Sequence, residues 1–203
     1  MNLSRYIIAV AMATLAIGAF AAETAASVLN GMRAQLTSSA AVEAKFTING
    51  GNGPVEGSIE MSGARFALST PQLRVWYDGK TQWTMLDKTK EVSISEPTAE
   101  ELTAANPFSI LRDYAATYQS RLLPALNGLR RVELTPRGND SGISRIVICA
   151  DKKNMPAALT IFFEDGQQIV VNIDNIHGRS ALPDKAFRYD SHLYPASETI
   201  DLR

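Results

Sequence analysis

The chain has 203 residues, 45% of them hydrophobic and 20% charged, with a net charge of −1 and a pI near 6.1. That length suits one domain, the apolar fraction excludes a disordered chain, and the near-neutral balance lacks the basic footprint of a nucleic-acid binder. One cysteine and two histidines exclude an internal disulfide and a thiolate or histidine-rich metal cage, so neither metal nor cofactor is expected.

The N-terminus carries the first specific signal. Arg5 is the only charge before Glu23, and an apolar run from Ile7 to Phe20 separates them. Ala19-Phe20-Ala21 places small residues where a signal peptidase reads, so residues 1–21 are expected to be a cleaved signal peptide and 22–203 one exported, periplasmic domain. The run is short for a membrane span, which needs roughly 20 residues, so a retained anchor is the weaker reading. Cys149 then lies without a partner in the strand-forming run Ile146–Ala150 and is expected to be a buried, inert thiol.

In chain order, Ala25, Val28, Leu29, Met32 and Leu36 fall on one helical stripe over 23–38, with Thr24 as its cap. The period then changes to two. Val42–Ile48 and Val55–Met61 alternate around the turn Asn49–Pro54, predicting a hairpin. Arg65–Thr70, Leu73–Tyr77, Thr81–Leu86 and Glu91–Ser95 extend it to a meander of six strands, with Asp78-Gly79 as a tight turn and Asp87–Lys90 as a polar one. Thr98 and Glu101 form a capping-box pattern, Asn106-Pro107 breaks that helix, and a second helix is expected to run from Pro107 through Tyr118 and Leu122. Strands resume at Arg130–Pro136, Ser144–Ala150, Ala157–Glu164 and Gln168–Asp174, the last two joined at Asp165-Gly166. Ala186–Tyr189 is expected to add one short strand.

The fold class is therefore mainly β (α+β): one curved antiparallel sheet forming an unclosed half-barrel, with helices as a lid over its concave apolar face. No catalytic constellation is found. There is no nucleophile elbow, no phosphate-cradling loop and no zinc-binding histidine pair, and His177 and His192 lie in turn-like sequence. The accumulation of large apolar side chains on one-sided strands is the outstanding feature. Phe46, Ile48, Ile59, Met61, Phe66, Leu68, Trp83, Met85, Ile161 and Phe163 share one face in suitable registers, and Phe108, Leu111 and Tyr114 lie on the helices above them. A curved sheet of about ten strands encloses more space than short helices fill, so an apolar ligand cavity is expected there.

Val75-Trp76-Tyr77-Asp78-Gly79-Lys80-Thr81-Gln82-Trp83 resembles the DGkt hairpin of the periplasmic lipoprotein carrier family, LolA. Phe46-Thr47, Gly57-Ser58-Ile59, Pro107–Leu111, Val132–Pro136 and Phe187-Arg188-Tyr189 resemble that family's further motifs in the same order. The resemblance implies a carrier without enzymatic activity that holds acyl chains of lipoproteins or related lipids in the cavity. It would receive cargo from an inner-membrane exporter and pass it to an outer-membrane acceptor, working as a monomer. The family's lid-latching arginine is missing, since Gly63 or Ser62 stands at its position and Arg65 is only nearby. The alternative is a protein-interaction or envelope-stress regulatory module on the same fold.

Overall fold

The structure is a computed structural model and describes residues 23–50, 53–138 and 142–203. The expected signal peptide and part of the Asn49–Pro54 turn lie outside the described residues.

Helix α1 (Ala25–Leu36) begins at a reciprocal cap: the Ser27 amide donates to Thr24 Oγ1 and the Thr24 amide to Ser27 Oγ, each at 3.0 Å. Its stripe of Val28, Leu29 and Met32 is completely buried, each side chain contributing roughly 1.5–3 kcal/mol by leaving water. The meander follows as read: β1 (Ala41–Gly50), β2 (Gly53–Ser62), β3 (Arg65–Ser69), β4 (Leu73–Tyr77), β5 (Gln82–Leu86) and β6 (Glu91–Ser95). Its turns use residues that suit them. Gly79 has φ +104°, and the Asp78 carboxylate accepts from the Lys80 and Thr81 amides at 3.1 and 3.0 Å.

The helical insert consists of α2 (Ala99–Ala105), a 3-10 turn at Pro107–Ser109 and α3 (Ile110–Thr117). The Thr98–Glu101 capping box forms, with the Thr98 amide 2.7 Å from the Glu101 carboxylate. Asn106 ends α2, and its Oδ1 accepts from the Phe108 amide at 3.1 Å. The helix expected through Leu122 instead stops at Thr117. Tyr118–Leu126 is strand β7, paired with β8 (Leu129–Pro136), so that Tyr118, Ser120 and Leu122 oppose Pro136, Leu134 and Val132. A spacing of four satisfies both a helical turn and a strand alternation, so Tyr118 and Leu122 alone do not distinguish the two. Pro124 is tolerated because β7 is an edge strand.

Strands β9 (Ile143–Ala150), β10 (Pro156–Phe163) and β11 (Gln168–Arg179) complete this half. β11 runs five residues past its expected end at Asp174. The alternation slips there, and a bulge absorbs the slip: Phe46 opposes Ile173 while Lys45 opposes Asn175, leaving Asp174 as the extra residue. His177 therefore lies in a strand, not a turn, and is exposed. The short strand expected at Ala186–Tyr189 is absent; Asp184–Phe187 is a 3-10 turn whose Phe187 is completely buried. A final strand, β12 (Glu198–Asp201), was not legible, because all four residues are exposed and show no buried alternation.

All twelve strands form one curved, unclosed sheet in the order β12-β6-β5-β4-β3-β2-β1-β11-β10-β9-β8-β7. Neighbours are antiparallel except β12 with β6. β1 and β11 join the two halves, and α1 and α3 lie against each other and against β7 on the concave side. The main core lies between the helices and this face, with Phe66, Ile59, Leu134 and Ile146 nearly or wholly buried. On the opposite face the C-terminal segment crosses β3 and β4, placing the Tyr189 and Tyr194 rings 5.8 and 5.4 Å from that of Trp76.

Candidate ligand cavity

The register decides which side chains share the concave face. Ile59 opposes Leu68 across β2 and β3, Ile48 opposes Val171 across β1 and β11, and Ile161 opposes Ile169 across β10 and β11. These strands, roofed by Ala105, Pro107 and Phe108, leave a cavity of about 140 Å³. Every lining side chain among the described residues is apolar, so the walls offer water no side-chain hydrogen-bond partner and favour an apolar occupant. Ile169, 36% exposed, stands where the cavity meets solvent.

Six of the ten residues expected on this face line the cavity: Phe46, Ile48, Ile59, Leu68, Ile161 and Phe163. Met61 lies two residues beyond Ile59 and lines a neighbouring groove instead. Phe66 belongs to the filled core, its ring centroid 5.5 Å from that of Tyr77. Trp83 and Met85 face the other way. Trp83 opposes Trp76, whose neighbours Val75 and Tyr77 point into the core, so β5 turns Trp83 and Met85 to the convex side. The sequence alternation of β5 is sound; only the cross-strand register reveals which of its two sets faces inward. Leu159, Ile169, Val171 and Ile173 line the cavity and were missed. They sit in strands legible from alternation; Val171 and Ile173 face Ile48 and Phe46 of β1 beside the bulge at Asp174, while Leu159 and Ile169 face Val171 and Ile161 across β10 and β11.

Gly57 shapes the cavity wall. It opposes Phe46, and a Cβ there would come within 2.5 Å of the Phe46 ring and 3.0 Å of the Ser69 carbonyl oxygen. The absent side chain lets the Phe46 ring lie across β2.

Of the helical residues, Phe108 lines both the cavity and the groove, and Leu111 lines the groove. Tyr114 is buried, with its hydroxyl 3.4 Å from Asn30 Oδ1 on α1. The groove, about 340 Å³, lies between the end of α1, the start of β1, the β2–β3 turn and α3. Burial pushes the nearby Tyr77 phenol up from its ordinary pKa, while the Arg112 charge opposes that shift.

The two candidate latch positions, Gly63 and Ser62, serve the β2–β3 turn and its surroundings. Gly63 has φ +61° in the two-residue β2–β3 turn, a conformation strained for arginine. Ser62 Oγ donates to the Ala40 carbonyl at 3.0 Å. Arg65 points away from the helices: its guanidinium pairs with Asp184 and sits 4.9 Å from the Phe187 ring centroid. Cys149 is half-buried; burial pushes its thiol up, with Arg131 opposing. Among the described residues no group of three His, Cys, Asp or Glu side chains is placed to hold a metal, and no helix is long and apolar enough to cross a membrane.

A family model described as outer membrane lipoprotein carrier protein LolA matches residues 15–162. The chain belongs to the LolA family. A search of curated proteins finds no match. Among solved structures, an uncharacterized conserved protein from Thermus thermophilus is 11% identical, with 87% of this chain and 98% of that chain covered and a TM-score of 0.60. A LolA superfamily protein from Nitrosomonas europaea is 13% identical over 83% and 99% of the two chains, with a TM-score of 0.46. MucB of Pseudomonas aeruginosa, solved with MucA, is 14% identical over 82% and 61%, with a TM-score of 0.42. At such an identity the likeness to the Thermus protein is one of fold.

Proposed function

We propose that the chain is exported, loses residues 1–21, and works in the periplasm as a non-enzymatic carrier of lipoprotein acyl chains or related lipids. It takes its cargo from an inner-membrane exporter and delivers it to an outer-membrane acceptor. The observation that carries this reading is the cavity, walled by apolar side chains from both halves of the sheet and roofed by Phe108. Transfer of an acyl chain from water yields about 0.8 kcal/mol per buried CH₂, so a modest apolar surface retains a long chain. A cavity of about 140 Å³ matches the size that accommodates a benzene-sized guest. A whole acyl chain therefore requires the Pro107–Ser109 turn and α2 to shift outward, and the short helices of this insert make that movement inexpensive.

The test is titration with a fluorescent fatty-acyl probe. Saturable uptake is expected, and Leu68→Gln should weaken it several-fold while lowering the melting temperature little, because Leu68 is only half-buried and water reaches it. No uptake, or uptake indifferent to Leu68→Gln, defeats the carrier reading and favours a protein-interaction module.

A further inference from the structure

The groove beside the cavity has an uneven chemistry. Its floor is apolar, from Leu36, Met61, Phe108 and Leu111. Its rim carries two exposed cations, Arg33 near the end of α1 and Arg112 on α3, and no acidic side chain among the described lining residues. This local positive charge occurs in a chain whose net charge is −1. Arg33 has no ion-pair partner among the described residues. Ser109, on the same groove, keeps a buried hydroxyl without a hydrogen-bond partner among the described residues, an arrangement that native proteins rarely leave unfilled.

We propose that this groove is the headgroup site for an anionic amphiphile, with its carboxylate or phosphate held by Arg33 and Arg112 and its tail running over Met61 into the apolar cavity. The proposal rests on the carrier reading and names the class of cargo. The path is continuous. Met61 and Ile59 lie on the same face of β2, roughly 7 Å apart along the strand, one in the groove and the other in the cavity. Phe108 lines both spaces, so its displacement joins them. Guanidinium groups suit the head because their planar forks bind carboxylate and phosphate through charge-assisted hydrogen bonds, and Ser109 adds a neutral donor. A neutral head would leave the Arg33 charge and the Ser109 hydroxyl unanswered.

Matched chains test this. Displacement of the fluorescent probe is measured with lysophosphatidylglycerol against lysophosphatidylcholine of the same acyl length, and with a fatty acid against its alcohol, all below their micellar concentrations. The anionic member of each pair should bind about tenfold tighter or more, as expected for hydrogen bonds to charged groups. Added salt should narrow the difference. The double variant Arg33→Gln/Arg112→Gln should abolish it while the alcohol is still taken up with unchanged affinity by the folded protein. Preference for only the phosphate or only the carboxylate member identifies the headgroup and supports the site. Equal binding of anionic and neutral chains overturns the headgroup site while the carrier reading stands. Binding of none of the four defeats both. Inorganic phosphate that binds as tightly as the lysolipid marks an anion site unrelated to lipid and overturns the proposal.

Discussion

Replacing Gly57 by alanine perturbs the cavity through one atom. The added Cβ would meet the Phe46 ring at 2.5 Å, where ordinary contact needs more than 3.4 Å, so the ring must retreat by roughly 1 Å. The Ser69 carbonyl, 3.0 Å from the same Cβ, is backbone held in the β2–β3 pairing and gives little. Phe46 has somewhere to go, since it borders the cavity. Overpacking of this kind costs about 1–3 kcal/mol, and a domain of this length loses about 2–4 °C in melting temperature per kcal/mol. The retreating ring also occupies cavity space, so probe uptake should fall in parallel. Calorimetry on a double-mutant cycle isolates the contact. Phe46→Leu removes the ring atoms that the Cβ would strike, and in that background Gly57→Ala should cost clearly less, since only the tight approach to the Ser69 carbonyl remains. Additive effects of the two substitutions would refute the packing of Phe46 over Gly57.

The Arg121 hydrogen bond, followed by Arg145, holds the Glu133 carboxyl below its ordinary pKa against the opposing effect of burial. A depressed carboxyl contributes stability that is present above the unfolded value of about 4.3 and is lost as pH falls through the folded value. Glu133→Gln should therefore lower stability at neutral pH and flatten the acid limb of denaturant midpoint against pH; an unaltered acid limb would show that another carboxylate controls it. Phe187→Ala empties a wholly buried site on the convex face and should cost about 3–5 kcal/mol, speed tryptic cleavage after Arg188, and leave probe affinity unchanged in the folded fraction. Unchanged melting and cleavage would mean that the C-terminal segment is not anchored there. Gly79→Val places a β-branched residue at φ +104° and should cost about 1 kcal/mol or more, read as a lower urea midpoint; no shift would mean that the turn tolerates a side chain.

Strands whose alternation is uninterrupted were legible from sequence, and both helical caps and the break at Asn106 followed from local chemistry. Two kinds of information were not. Tyr118 and Leu122 fit helix and strand alike until β8 offers Val132 and Leu134 as partners. The face presented by β5 depends on its pairing with β4, where Trp83 meets Trp76, and alternation within β5 is silent on that. The candidate site divides the same way. Phe46, Ile48, Ile59, Leu68, Ile161 and Phe163 were found because one-sided strands concentrate apolar residues, whereas Val171 and Ile173 depend on the register across β1 and β11 beside the bulge at Asp174, and Leu159 and Ile169 on the pairing of β10 with β11. Gly63 shows local turn chemistry at a position where the family motif has an arginine: its positive φ suits glycine in the β2–β3 turn.

The proposed carrier function requires that the apolar cavity hold acyl chains. Organic extraction of the protein purified from its native envelope without detergent, followed by mass spectrometry of the extract, measures this directly. An acyl-chain lipid is expected at close to one equivalent per chain, reduced in Leu68→Gln protein purified in parallel. An extract with no acyl lipid above that of an unrelated protein carried through the same purification would contradict it.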